Sequence, residues 1–371
     1  MKIVALTSVS GPYIFARYSS FANQSRHNLT LIELGASSTT YPWEHPNVTP
    51  PYKRVVLSDQ PAEVQPILQL LNHLLKAVNK IRPDVVIIPG YARPAMLVAL
   101  LWCLYHRKTA ILLSETTEND EPRSWWKEKI KKLLISKYQA ALVGGNPHKR
   151  YLIKLGMPAD AIFLGYDVVG NEVFHPDQIK SLPSPLNKPF FLAINRFVHK
   201  KNLPFLLSAY ADYRKLAGNQ SWDLVLCGDG ELRVQLEQQV TNQAIQDYVH
   251  LPGFLQQEQL LPYFAHASCF IHASIQEQWG LVVNEAMAAG LPILVSNRCG
   301  CYEDLIMEGV NGFGFDPENT QQLTELMCKI SSGQVNLAEM GKAALAHIQK
   351  FSPDYFAQGL IQAVNYALSS D

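Results

Sequence analysis

The fold is decided by residues 190–227, FFLAINRFVHKKNLPFLLSAYADYRKLAGNQSWDLVLC. An apolar run at Phe190–Ile194 leads through a polar loop into a helical repeat at Leu203–Leu216, and a second apolar run follows at Asp223–Cys227. Strands that are apolar on both faces and alternate with helices are typical of a parallel sheet covered by helices on both sides. This stretch therefore predicts a doubly wound, Rossmann-like α/β domain.

The same alternation continues downstream and also occupies the first half of the chain. Further strands are predicted at Lys2–Leu6, Asp84–Ile88, Ala110–Leu113, Cys269–His272 and Ile293–Ser296, and further helices at Pro94–Tyr105, Glu231–Gln243 and Val283–Ala289. The 371 residues also exceed the roughly 250 to 300 at which a single core stops growing. We therefore predict two Rossmann-like domains that face a cleft at the carboxyl ends of their strands.

Proline-rich sequence marks the boundary between these domains. Residues 166–189 contain four prolines and little helical or strand periodicity, which indicates a linker. We therefore expect a first domain at 1–165, a second at 190–350 and a C-terminal helix within 351–371.

Composition excludes several classes of protein. The 32 Lys and Arg balance 32 Asp and Glu, whereas a duplex nucleic-acid binder needs a positive excess, so no nucleic-acid partner is expected. The longest apolar run, Ala95–Tyr105, is about half of the roughly 20 residues that a spanning helix requires. The N-terminus has no credible signal-peptide core, and the six cysteines do not form a disulfide or zinc pattern. We expect a cytoplasmic protein.

Charged residues follow two predicted strands of the second domain. Arg196 and Lys201 precede a helix N-terminus, where cations and free N–H groups bind phosphate, although a solvated turn explains them equally well. Glu277 and Glu285 are separated by seven residues, the first in a loop and the second in the following helix. Carboxylates accept hydrogen bonds from vicinal hydroxyls, so the pair suits a ligand with two polyol parts and an anionic middle. From spacing alone, coincidence is the favoured interpretation of the two glutamates.

The order of these motifs resembles one enzyme family. The matching elements are Arg196 with Lys201, the Glu277-x7-Glu285 pair, the run Ala286–Pro292 and the turn Gly309–Gly312. Together they resemble the group 1 glycosyltransferases, the retaining family four, which has the two-domain GT-B fold. Asn195 and Asn202 stand where that family often has glycine.

The resemblance implies an enzyme that moves a sugar, expected to be a hexose, from a nucleoside diphosphate donor with retention of configuration. It assigns Arg196 and Lys201 to the donor diphosphate. It assigns Glu277 to hydroxyls of the transferred sugar and Glu285 to the ribose of the nucleotide.

Backbone groups complete the donor site that the resemblance implies. The N–H groups of Gly280, Leu281 and Val282 would approach the sugar and phosphate, and a turn at Gly228 would lie beside the nucleotide. No cofactor or metal is expected, because the sequence has no apparent carboxylate cluster for a divalent cation. Arg196, Lys201 and helix N–H groups would then neutralise the leaving diphosphate, and one of its oxygens would take the acceptor proton.

The first domain resembles the family less and is expected to bind the acceptor, which could be a saccharide, a lipid-linked sugar or a small molecule. Gly11, in the first loop, and Glu115, at the end of a later strand, are the candidate acceptor-side residues. The resemblance also implies that the C-terminal helix returns to the first domain and that the cleft closes about residues 165–189.

Two other classes of function stay open at this point. One is a nucleotide-sugar epimerase or phosphorylase of the same fold, and the other is a non-catalytic nucleotide-sugar-binding module. A dehydrogenase is excluded, because neither domain opens with a Gly-x-Gly-x-x-Gly turn.

One further stretch, residues 125–134 (WWKEKIKKLL), is basic and begins with two tryptophans. It could lie against the anionic inner face of a membrane. The favoured interpretation is a solvated helix with Ile130, Leu133 and Leu134 in the core.

Overall fold

The protein consists of two α/β units in the computed structural model, which describes residues 1–39, 48–120 and 123–369. Unit 1 contains the described residues of 1–170 and 351–371, and unit 2 contains residues 171–350. Each unit is built on its own parallel sheet. The predicted fold class, two doubly wound Rossmann-like domains of the GT-B type, is confirmed.

Unit 1 has a seven-stranded sheet in its described part, in the order β3-β2-β1-β4-β5-β6-β7. Its strands are β1 (Lys2–Thr7), β2 (Asn28–Glu33), β3 (Lys53–Val56), β4 (Val85–Pro89), β5 (Thr109–Ser114), β6 (Ala140–Val143) and β7 (Ile162–Leu164). Its helices are α1 (Pro12–Gln24), α2 (Ile67–Ile81), α3 (Pro94–His106), α4 (Trp125–Ile135), α5 (Asn146–Lys154) and the C-terminal α15 (Pro353–Ser369). One core lies between the sheet and α2 and α3, and the other lies under α1 and α15.

Unit 2 has a six-stranded sheet in the order β10-β9-β8-β11-β12-β13. Its strands are β8 (Phe190–Ile194), β9 (Asp223–Cys227), β10 (Val249–Gly253), β11 (Cys269–His272), β12 (Ile293–Ser296) and β13 (Gly312–Phe315). Its helices are α6 (Asn171–Phe174), α7 (Pro176–Ile179), α8 (Leu203–Ala217), α9 (Arg233–Asn242), α10 (Gln257–His266), α11 (Leu281–Ala288), α12 (Tyr302–Leu305), α13 (Thr320–Ser331) and α14 (Leu337–Ile348).

The boundary between the units is sharper than the proline-rich linker suggests. Residues 166–170 belong to unit 1, and the segment from Asn171 onward belongs to unit 2. There the prolines limit the length of helices rather than prevent them, because Pro176 occupies the first turn of α7, where proline is tolerated. Phe174 and Ile179 are buried, so this segment packs as part of the unit.

Helix α4 turns a different side toward the core from the one that the sequence favoured. Ile130 and Leu133 are exposed, and Leu134 is half-buried. Glu128 occupies the inward side and bonds Lys131 and the Tyr151 hydroxyl. The prediction that Ile130 and Leu133 enter the core is therefore wrong, because a polar network holds the inward side of this helix.

Candidate functional site

The predicted donor residues of unit 2 lie around the point where the chain changes direction across its sheet. From β8 the chain builds β9 and β10 on one side, then returns to place β11 on the other side of β8. Loops that follow two such strands diverge and leave a crevice, which is where open α/β sheets bind ligands. Arg196 and Lys201 follow β8, and Glu277 follows β11.

The structure brings Lys201 and Glu277 into contact. The Lys201 ammonium forms an ion pair and a hydrogen bond with Oε2 of Glu277, and each side chain is 13% exposed. Lys201 lies in a short 3₁₀ turn, His199–Lys201, and the carbonyl of Lys200 accepts a hydrogen bond from Ile275 of the β11 loop at 3.0 Å. The two loops are therefore joined through both backbone and side chains.

Two buried residues hold the same oxygen of Glu277. His272 is the last residue of β11, and its Nε2 lies 3.1 Å from Oε2 of Glu277. The Ser274 hydroxyl lies 3.2 Å from the same Oε2. Both His272 and Ser274 are fully buried. Nδ1 of His272 is buried and has no hydrogen-bond partner among the described residues.

These contacts set the charges at the site. Burial opposes ionisation of Glu277, but the hydrogen bond from His272 and the charge of Lys201 outweigh it and hold its pKa well below the usual range. Burial lowers the pKa of His272, which the bond to Glu277 only partly offsets. His272 is therefore neutral at pH 7 and donates its Nε2–H to the carboxylate.

The loop that carries Glu277 is held against residues 299–301. Gly300 donates its N–H to the Glu277 carbonyl at 3.0 Å, and Cys301 donates to the Trp279 carbonyl at 3.2 Å. Gly280 then starts α11 with a φ of +107°, in the left-handed region that favours glycine. Leu281 and Val282 follow in the first turn, so their N–H groups belong to the helix N-terminus, where backbone donors have no partner within the helix.

Glu285 lies one turn further along α11 and is buried. Its neighbour Asn284 accepts a hydrogen bond from the Trp279 indole at 2.8 Å, which fixes the helix to the preceding loop. The predicted division therefore holds in position: Glu277 lies in the loop, and Glu285 lies on the helix.

A second turn holds the loop of Arg196. Gly228, directly after β9, has a φ of +131°, and a Cβ atom there would overlap the Asn195 carbonyl oxygen. Phe197 donates its N–H to the Asp229 carbonyl at 2.8 Å. Glycine at 228 thus allows the β9 turn to pack directly on the backbone on both sides of Arg196, which is itself half-buried.

The two asparagines that replace family glycines have different environments. Asn202 has a φ of +57°, a conformation that asparagine tolerates, and its side chain donates to the Pro317 carbonyl at 2.8 Å. Asn195 has no positive φ. Its side-chain amide is buried, and neither its oxygen nor its nitrogen has a hydrogen-bond partner among the described residues.

Comparison with known proteins places this unit in a family. The family model of the glycosyl transferases group 1 matches residues 174–347. Unit 2 is a group 1 glycosyltransferase domain. Its match includes Arg196, Lys201, Gly228, Glu277 and Glu285.

The relatives of this chain include proteins from bacteria and animals. The amylovoran biosynthesis glycosyltransferase AmsK of Erwinia amylovora is 28% identical over 204 residues, covering 53% of this chain and 49% of that protein. The alpha-1,3/1,6-mannosyltransferase ALG2 of Mus musculus is 28% identical over 218 residues, covering 55% and 52%. The chain thus aligns with about half the length of these relatives.

Solved structures share the fold over essentially the whole chain. HepE of Anabaena, solved in complex with UDP, has a TM-score of 0.73 at 18% identity and covers 98% of this chain and 100% of its own. The sucrose-phosphate synthase of Thermosynechococcus elongatus has a TM-score of 0.75 at 19% identity and covers 100% of both chains. At these identities the likeness shows the fold.

The predicted acceptor-side residues lie at separate strand ends of unit 1. Gly11 caps α1 after β1, and Glu115 follows β5, with β4 between these strands. Glu115 faces Asp167, a residue that sequence reasoning placed only in a hinge. Burial, reinforced by the charge of Glu115, raises the pKa of Asp167 well above its usual range, and Arg17 lies 3.8 Å away.

Sequence reasoning also missed His272 and Ser274. Both lie in or directly after an apolar strand, and a buried histidine in such a strand is more often a core residue than a site residue. Among the described residues, no three His, Cys, Asp or Glu side chains are grouped to hold a metal ion. A metal-independent reaction stays a prediction.

Proposed function

We propose that the protein is a retaining glycosyltransferase that moves a hexosyl group from a nucleoside diphosphate sugar to an acceptor. The observation that carries this proposal is the cluster of Lys201, Glu277, His272 and Ser274 at the switch point of the unit 2 sheet. Two of its members are the cation and the first carboxylate of the family motif.

Lys201 and Arg196 are proposed to bind the donor diphosphate. Lys201 is paired with Glu277, so its charge is already positioned and largely removed from solvent. A charge of this kind stabilises a leaving diphosphate more strongly than an exposed one, because little water competes with it. Binding would make the diphosphate and Glu277 share the Lys201 ammonium.

Glu277 is proposed to bind hydroxyls of the transferred sugar. It stays ionised despite its burial, and Oε2 is already held by three side chains. Its carboxylate can therefore accept hydrogen bonds from the sugar without first reorganising. His272 and Ser274 position this group and need not touch the substrate.

Retention and the route of the proton follow from the family resemblance. In the proposed reaction the bond between the anomeric carbon and the diphosphate breaks, and the new glycosidic bond forms on the same side of the sugar. A leaving phosphate oxygen takes the proton of the acceptor hydroxyl. Arg196, Lys201 and the N-terminal N–H groups of α11 stabilise the charge that develops on that leaving group.

The nucleotide is proposed to contact Glu285 and the loop at Asn195. Glu285 is assigned to the ribose hydroxyls, and the buried amide of Asn195 is a polar group that a ligand can satisfy. Uracil is the first donor base to test, because HepE has been solved with both UDP and UDP-glucose. Acceptors are proposed among hydroxyl-bearing saccharides and lipids, and the side of unit 1 that carries Gly11 and Glu115 is proposed to bind them.

The first test is a panel of nucleotide sugars, screened by thermal shift and then assayed for release of nucleoside diphosphate. A donor that binds the folded state raises the melting temperature in a concentration-dependent way. We expect diphosphate release that depends on added acceptor. Formation of a sugar phosphate from a saccharide and inorganic phosphate, interconversion of the donor sugar, or binding without turnover would contradict the proposal and support a phosphorylase, an epimerase or a binding module, respectively.

The second test separates the roles of the two glutamates by calorimetry with the free nucleoside diphosphate. Glu285→Gln should weaken binding about tenfold or more, since a hydrogen bond to a charged group contributes about 1.5–3 kcal/mol. Glu277→Gln should retain this binding, because it leaves Lys201 to the phosphates, and should lose transfer. Exchanged results would reverse the assignment.

A third test compares alanine substitutions at Lys201 and at Lys215, which serves as the control. Lys201→Ala should lower turnover by at least about a hundredfold, as expected for one contact worth about 3 to 4 kcal/mol in the transition state. Lys215→Ala removes an exposed ion pair with Asp212 on α8 and should change neither turnover nor binding. Near-normal turnover in Lys201→Ala would refute the diphosphate assignment.

A further inference from the structure

Helices α3 and α4 lie on the same side of the unit 1 sheet. Helices α3 and α4 connect β4 to β5 and β5 to β6, which are neighbours in the sheet. Because such crossovers are right-handed, both helices cover the same side of the sheet, and their outer surfaces form part of one layer.

The apolar residues of α4 point away from unit 1. Trp125 is 72% exposed, Trp126 50%, Ile130 49% and Leu133 62%. At 100° per residue these four positions occupy one side of the helix. We define the α4 outer face by these four residues together with Lys129 and Lys132. Monomeric proteins rarely expose contiguous apolar surface of this kind without a binding role.

The charge of the α4 outer face has one sign. Lys129 and Lys132 are exposed on it, and the Lys129 ammonium lies 4.9 Å from the centre of the Trp125 ring. Glu128 is the one acidic residue in the sequences of α3 and α4. It is turned inward and paired with Lys131 and Arg123, so it does not neutralise the outer lysines.

Helix α3, in the same layer, also exposes apolar side chains, with a cationic residue after its end. Leu101 and Leu104 of α3 are exposed, and Tyr105 is 84% exposed. Arg107 follows directly and is also exposed. Aromatic rings with cationic side chains beside them are the composition of surfaces that rest at the boundary between lipid headgroups and acyl chains.

We propose that the α4 outer face docks unit 1 on an anionic lipid bilayer. Among the described residues no helix is long and apolar enough to span a membrane, so this contact lies in the interface. Lysines stand among the tryptophans, whereas lysine is depleted at the centre of protein–protein interfaces. The arrangement instead allows the rings to enter the headgroup layer while the ammonium groups contact lipid phosphates.

Vesicle sedimentation with the full chain tests the proposal. Vesicles of phosphatidylcholine with about 30% phosphatidylglycerol should bind the protein, and pure phosphatidylcholine vesicles should bind it much less. Lys129→Gln and Lys132→Gln should each weaken binding about fivefold, the effect expected for one cation at an anionic surface. Trp126→Ser with Ile130→Ser should weaken it further, and raised salt should weaken it as well.

Two exposed residues of unit 2 provide matched controls. Lys350→Gln removes one exposed charge and Val234→Ser removes one exposed apolar side chain, and both should leave vesicle binding unchanged. Every variant is compared with the parent by its melting temperature. Because all the substituted side chains are exposed, loss of folding is readily separated from loss of binding.

Tryptophan fluorescence gives a second measurement. Anionic vesicles should shift the emission to shorter wavelength, and Trp125→Phe with Trp126→Phe should abolish that shift. The proposal is overturned if anionic vesicles do not bind the protein at low salt, if the α4 variants bind like the parent, or if these variants instead dissociate a dimer seen by light scattering. Neither donor nor acceptor enters these measurements, so their outcome is independent of the proposed function.

Discussion

His272 is a buried neutral base that holds a buried carboxylate in its ionised form. Its pKa is lowered by burial, so in the folded protein it takes up a proton only below the pH at which an unfolded histidine does, about 6.5. Below that pH, His272 binds a proton in the unfolded chain but not in the folded chain. Acid therefore favours unfolding at this residue, and stability should rise as the pH rises through this window.

We predict that His272→Gln flattens this dependence. The free energy of unfolding of the parent should fall between pH 7 and pH 5.5, with up to about 1.4 kcal/mol per pH unit due to this one proton. Urea unfolding at a series of pH values measures the slope. His199→Gln, at an exposed position of the same unit, should keep the slope of the parent. Equal slopes in the parent and His272→Gln would contradict the prediction.

The sequence predicted the chemical types at the donor site better than their contacts. Lys201 and Glu277 are 76 positions apart, and no local pattern indicates that their side chains meet. Their contact follows from β8 and β11 lying side by side. His272 ends the apolar run Cys269–His272, and the sequence pattern of this run is that of a core strand. His272 becomes a site residue only because the loop that carries Glu277 returns over the end of the strand.

At the scale of single elements, the sequence identified helices more reliably than their rotation. The α4 sequence has apolar residues on more than one side, so several rotations bury similar amounts of apolar surface. The inward position of Glu128 depends on Tyr151 of α5 and on Arg123, which no pattern within α4 contains. Several strands were also missed, namely β2, β3, β6, β7, β10 and β13, of which β2 and β6 lie inside the unit 1 sheet. β3 is largely exposed, so it lacks the apolar run that marked the central strands.

The turn after β9 provides the prediction for an element. Gly228→Ala should cost more than the roughly 1–3 kcal/mol of an unfavourable backbone conformation alone, because its Cβ would overlap the Asn195 carbonyl. Denaturant unfolding measures this cost, and calorimetry should show weaker donor binding because the Arg196 loop is displaced.

Gly218 is the matched control for this element. It also has a positive φ, +56°, but a Cβ there meets no atom within 4 Å. Gly218→Ala should therefore cost only the backbone term and leave donor binding intact. Equal losses of stability for the two variants would mean that the turn after β9 accommodates the added Cβ atom without strain.

For the whole molecule, the two units have separate cores. Helix α15 buries Phe356, Leu360, Val364 and Ala367 within unit 1, a helical repeat that the C-terminal sequence shows clearly. The order of strands within each sheet could not be derived from periodicity, since every parallel strand that is buried on both faces has the same apolar pattern. What could be predicted was the alternation itself, which is enough to give the two Rossmann-like units.

Separate cores predict separate opening of the units. Phe356 is fully buried and packs edge-to-face on Tyr18 at 5.3 Å, so Phe356→Ala should destabilise unit 1 by about 3–5 kcal/mol. Hydrogen exchange should then be faster for amides of β4 to β6 and unchanged for those of β8 to β12. Phe264→Ala, which removes an equally buried ring from unit 2, should give the reverse pattern. Faster exchange throughout both sheets in either variant would show that the chain opens as a single cooperative unit, because a cavity in one core would then weaken the hydrogen bonds of both.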